Sequence, residues 1–117
     1  MNSNEIFDRD SVLGMVGGDP ELLDDLVTMF KSHYPTVIEE LRDAINQSDA
    51  TGIRESAHQL KGVVGNFYAP SCTESASTLE QYGKDGELTN VPARFAQLQT
   101  ELDALEHELD SLCSELI

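Results

Sequence analysis

The sequence predicts an all-α protein, a bundle of antiparallel helices, on three observations. Apolar residues recur at steps of three and four along most of the 117-residue chain. No window alternates β-branched and polar residues with the period of a strand, and no Asn-Gly or Asp-Gly turn joins two such runs. The periodic runs are separated by short polar links, which favour antiparallel neighbours.

Residues 1–18 read as a leader with one small helix carrying Ile6, Phe7, Val12, Leu13, Met15 and Val16, broken by Gly17-Gly18. Asp19-Pro20 marks a helix start. The aspartate can cap free N–H groups, and proline suits the first helical position, where no donor is needed. Leu22, Leu23, Leu26, Val27 and Phe30 follow at helical spacing, and Pro35 is expected to end that helix after Tyr34. A second run, Val37, Ile38, Leu41 and Ile45, ends near 46–48. Asp49 caps a third helix with the stripe Ile53, Ala57, Leu60, Val64 and Phe67. Pro70 opens a fourth, with Cys72, Ala76, Leu79 and Tyr82, fraying at Gly83 to Gly86. Asn90-Val91-Pro92 starts the last, whose stripe runs Phe95, Leu98, Leu102, Leu105, Leu109, Leu112 and Leu116.

Composition narrows the function. Asp and Glu number 22 against 7 Lys and Arg, a formal charge of −15. Binding nucleic acid needs cations that replace phosphate counterions, so that partner is excluded, as is an anionic membrane surface. No apolar run approaches the roughly 18 residues of a membrane span, and the N-terminus lacks a signal peptide's basic start. The expected location is cytoplasmic and the expected organisation one domain over 1–117, a leader at 1–18 and a bundle at 19–117. Met1 and the leader favour a free-standing protein. Cys72 and Cys113 are too few for a disulfide scaffold and lack the spacing of a zinc site.

No glycine-rich loop follows a strand, no His-Glu-x-x-His occurs, and no serine sits in a nucleophile elbow. Three histidines remain. His33 is expected at a helix C-terminus, where a cation is stabilising. His107 reads as a solvated residue among carboxylates. His58 differs, because Arg54, Lys61, Gly62 and Gly65 share its helix face. That face lies about 100° from the core stripe, so His58 should stand on the surface beside the core edge. Mid-helix glycines cost roughly 1 kcal/mol each relative to alanine. Either they let another helix pack closely, or they leave room for something large at the imidazole.

The segment Ala57-His58-Gln59-Leu60-Lys61-Gly62 resembles the A-H-x-L-K-G motif of histidine phosphotransfer (HPt) domains. Phe7-Asp8, Gly17-Gly18-Asp19, the run Leu26 to Phe30, and Leu79-Glu80 extend the resemblance over about residues 7–112. It implies an antiparallel four-helix bundle with a short N-terminal helix. His58 would be the phosphoacceptor and Lys61 would hold phosphoryl oxygens, with Gly62 and Gly65 leaving room for the partner. Arg54, Gln59 and Lys84 would support the site. The implied partners are receiver domains of hybrid sensor kinases and response regulators, with Mg²⁺ on the receiver and no cofactor on this chain. The implied role is a phosphocarrier without ATP-dependent kinase activity, since kinase histidines are usually followed by an acid and Gln59 stands here. One departure is Tyr68, ten residues after His58, where members usually carry glycine.

The competing expectation is a helical interaction module dimerising through the C-terminal leucine stripe; the phosphocarrier is expected to be a monomer. The charge is also uneven: residues 54–84 hold three basic and three acidic residues, so the whole excess lies outside the segment carrying His58.

Overall fold

The structure, a computed structural model, describes residues 6–116. It contains five helices: α1 (Arg9–Met15), α2 (Pro20–Asn46), α3 (Ala50–Gly65), α4 (Pro70–Asp85) and α5 (Val91–Leu116). Helices α2 to α5 form the bundle. Each packs on the next, and α5 closes the ring on α2. Links of three to five residues leave no room for a crossover, so successive helices run antiparallel. The first five residues of the expected leader lie outside the described residues.

Local chemistry sets the helix ends, at Asp19 and Asp49 as the sequence implies, whereas α4 does not fray at Gly83 but runs on to Asp85 because Gly83 is packed against α3. Asp8, Asp19 and Asp49 each cap a helix through a side-chain oxygen. Gly86 adopts φ 71° and closes α4, a left-handed ending that glycine takes without steric cost.

Pro35 does not end a helix: α2 passes through it, and the two expected runs are one element. Proline inside a helix costs about 3 kcal/mol. Val27, Phe30, Val37, Ile38 and Leu41 are all buried on the same stripe. Each contributes roughly 1.5–3 kcal/mol on burial, so together they exceed that cost severalfold. Pro35 itself faces solvent, where water can meet the carbonyl it leaves unbonded. His33 consequently lies inside α2, exposed, and not at a helix C-terminus. His107 is exposed, as expected.

The core is apolar and continuous, and Leu98, Leu102, Leu105, Leu109 and Leu112 of α5 are all within it. The leucine stripe is thus spent on the bundle, which leaves those side chains no outward seam for a coiled coil. Polar ties fix α5 at its edges. The Tyr34 hydroxyl donates to Glu106 at 2.9 Å, and the Ser75 hydroxyl donates to Glu101 at 2.6 Å. The Arg42 guanidinium lies 5.6 Å from the centroid of the Phe95 ring.

Candidate functional site

Burying Ile53, Ala57, Leu60 and Val64 leaves the flanking edge of α3 facing outward. His58 stands on that edge with 69% of its side chain exposed. Glu80 of α4 faces it across the helix pair. Its Oε2 lies 2.7 Å from His58 Nδ1, while its Oε1 accepts from Lys61 Nζ at 2.5 Å. One carboxylate therefore joins the two residues in which the sequence concentrates the chemistry.

Protonation follows from these contacts. The Lys61 ammonium, and then the His58 hydrogen bond, hold the Glu80 carboxyl below its ordinary value. At neutral pH Glu80 is ionised and only accepts. His58 Nδ1 must then carry a hydrogen to bond it. In the neutral ring this leaves Nε2 with its lone pair unprotonated.

The proximity of α3 and α4 has a specific cause. A Cβ on Gly83 would lie 2.7 Å from both the Ala50 carbonyl oxygen and the Arg54 nitrogen. Glycine at this point lets the helix backbones meet, one turn beyond Glu80. Gly62 and Gly65 are different, because a Cβ at either meets nothing within 4 Å. Close helix packing therefore does not explain them; both face open space on the side of α3 that carries His58. Seven residues of helix bring Gly65 within about 20° of the direction of His58 and about 10 Å along the axis.

The supporting residues are only partly assembled. Arg54 is exposed one turn before His58 on α3. Lys84 is exposed one turn beyond Glu80 on α4, at the level of Arg54. Neither makes an ion pair among the described residues. Gln59 is exposed but turned about 100° from His58.

The α3 edge separates two grooves. On the α4 side an open groove of 1070 Å³ reaches from Lys61 past Gly65 to Tyr68. On the other side Met15, Leu26, Met29 and Val63 line a more apolar hollow of 430 Å³ between α1, α2 and α3. Met15 is 40% and Met29 65% exposed.

Other chemistry is not built. Both cysteines are free and buried, and burial pushes the Cys72 thiol up to about 12, far from the range of a reactive thiolate. The described residues contain no group of three or more His, Cys, Asp or Glu placed to hold a metal ion. No described helix is long and apolar enough to cross a membrane.

Sequence reasoning missed the role of Glu80 and the reason for Gly83. Both were visible as residues of the fourth helix, but pairing Glu80 with His58 needs the register of α4 against α3, which no spacing within either helix supplies.

Comparison with known proteins agrees with this architecture. The crystal structure of histidine-containing phosphotransfer protein B (HptB) from Pseudomonas aeruginosa PAO1 superposes with a TM-score of 0.80. The match covers 97% of this chain and 98% of that one at 23% sequence identity, a likeness of fold. No curated protein matches the chain. The Hpt domain family model matches residues 25–108, a span that holds His58, Lys61, Glu80 and most of the four long helices. The chain therefore belongs to the Hpt domain family, the histidine phosphotransfer proteins of phosphorelays.

Proposed function

We propose that His58 is the phosphoacceptor of this phosphotransfer protein, taking a phosphoryl group from the aspartyl phosphate of one receiver domain and passing it to the aspartate of another. The observation that carries this reading is the exposed imidazole whose Nδ1 is tied to Glu80, which leaves Nε2 bare and outward beside Lys61.

Nε2 attacks phosphorus in line. The Nε2–P bond forms as the P–O bond to the donor aspartate breaks, and the carboxylate leaves with that electron pair. Positive charge developing on the ring meets the Glu80 carboxylate at Nδ1, and passage of the Nδ1 proton to solvent leaves the ring of the phosphohistidine uncharged while its phosphoryl oxygens stay anionic. The Lys61 ammonium has three donors, of which Glu80 takes one, so two remain for phosphoryl oxygens. Little covalent chemistry is asked of the protein beyond this, because phosphoryl transfer depends mainly on positioning and charge.

In this reading the receiver brings the Mg²⁺ and this chain brings no cofactor. The chain carries the group and does not draw it from ATP. Arg54 and Lys84 act at longer range, lowering the local cost of an approaching anion. The Met15–Met29–Val63 hollow beside α3 is the apolar part of the docking face. Because the aspartyl phosphates originate at ATP-using kinases, the reading places the chain in the cytoplasm.

The test uses receiver domains loaded with acetyl phosphate. Wild type is expected to take up acid-labile, alkali-stable phosphate, and His58→Gln none. Labelling of His58→Gln to the wild-type level would refute the assignment.

A further inference from the structure

Tyr68 has φ 52°, one of two non-glycine residues with positive φ among those described. A tyrosine in this region carries a steric cost, and strain of this kind persists only where the surroundings impose it. Its neighbours impose the turn, since Phe67 and Ala69 are buried on either side of it, but the tyrosine ring is not itself needed there: the residue is 47% exposed. Nothing in the turn's hydrogen bonds calls for a tyrosine: Tyr68 N–H donates to the Gly65 carbonyl at 3.1 Å and Asp8 N–H donates to the Tyr68 carbonyl at 2.9 Å, through backbone groups that any residue offers. The side chain projects at the rim of the groove that begins at Lys61. Along α3 the path from His58 to this rim is bare, passing Gly62 and Gly65, where not even a Cβ intervenes. An exposed aromatic ring at the end of a cleared track is the arrangement of a contact residue, because aromatic rings give large contact area at low entropic cost.

We infer that Tyr68 is a receiver-contacting residue: a receiver domain seated on His58 extends along the Gly62–Gly65 track and closes on the Tyr68 ring. The occupant is the phosphorylated receiver itself, because the track is continuous with His58 and Lys61. The inference rests on the phosphoacceptor reading of His58. Tyr68 takes no part in the chemistry. It adds binding at a distance from the reacting atoms, so its loss should act on KM and leave the rate at saturation in place.

The experiment compares wild type, Tyr68→Gly, Tyr68→Phe and His58→Gln, with receiver domains loaded with acetyl phosphate as donors and phosphoramidate as a small donor. Tyr68→Gly is expected to raise KM for the receiver at least fivefold, with kcat and phosphoramidate labelling unchanged. Its thermal midpoint should not fall, because glycine removes the left-handed strain. Tyr68→Phe should keep the wild-type KM. An unchanged KM in Tyr68→Gly, with transfer abolished in His58→Gln, overturns this inference alone. A lowered midpoint together with reduced phosphoramidate labelling overturns it in favour of a purely structural role. If no receiver labels wild type, both the phosphoacceptor reading and this inference fail.

Discussion

At the scale of single residues, Glu80 does most to define the site. It holds His58 by Nδ1 and Lys61 by Nζ, and so orients the imidazole from behind. Carboxylates that orient a metal-ligating histidine in this way typically matter about tenfold to a hundredfold, and an orienting contact at a nucleophilic imidazole is expected to act on the same order. Glu80→Ala is therefore expected to slow transfer from a saturating receiver by that factor, read by single-turnover labelling, while the helical circular dichroism is kept. Glu80→Gln should fall between, since its amide oxygen can still accept from Nδ1 but carries no charge. The same carboxyl has a stability signature. Its folded pKa is depressed, chiefly by Lys61, from an ordinary value of 4.5. Below that value the unfolded chain binds more protons, so the contribution is present above pH 4.5 and is lost as pH falls through the lower folded value. Urea midpoints of wild type should drop between pH 5 and pH 3 by more than those of Glu80→Gln.

At the scale of helices, two glycines have opposite meanings although they look alike in sequence. Gly83→Ala would drive a Cβ into the backbone of α3 and should destabilise by about 1–3 kcal/mol, the usual range for overpacking. Gly62→Ala meets open space, so it should stabilise α3 by up to about 1 kcal/mol while weakening receiver docking. Chemical denaturation of both variants tests the pair, and equal signs would contradict the geometry. Pro35 belongs to the same scale. Its helix continues because burial on both sides outweighs one missing bond, so Pro35→Ala should raise stability by about 1–3 kcal/mol. A drop would mean that the proline is needed where it stands.

At the scale of the whole molecule, the leucine stripe of α5 separates two architectures. Leu105 is fully buried in the bundle. Leu105→Ala should cost about 2–5 kcal/mol of folding stability without any change in oligomeric state. Sedimentation of wild type is expected to show a monomer at all concentrations, and a dimer dissociated by this substitution would restore the coiled-coil reading. The charge of −15 acts at this scale too. Because segment 54–84 is neutral, the excess acidity lies outside the segment that carries the site, where the Glu80 carboxylate is paired with Lys61. It bears on which partners approach more than on the chemistry at His58.

Sequence alone determined the all-α class, most helix positions and the Asp19 and Asp49 caps, and it singled out His58 as the candidate nucleophile. These depend on local rules: spacing of three and four, aspartate before a helix, and a six-residue segment on one helix. It erred where a local rule met a tertiary force, as at Pro35, whose break was overruled by the burial of Val27 through Leu41. It left open what the mid-helix glycines are for, because nothing within α3 says whether another helix faces them. Only the tertiary structure decided that Gly83 is the close-packed glycine, that Gly62 and Gly65 face space, and that Glu80 completes the site. The reason is physical. A hydrogen bond of 2.7 Å between residues 22 apart depends on how two helices are registered, and that register is set by packing over the whole bundle.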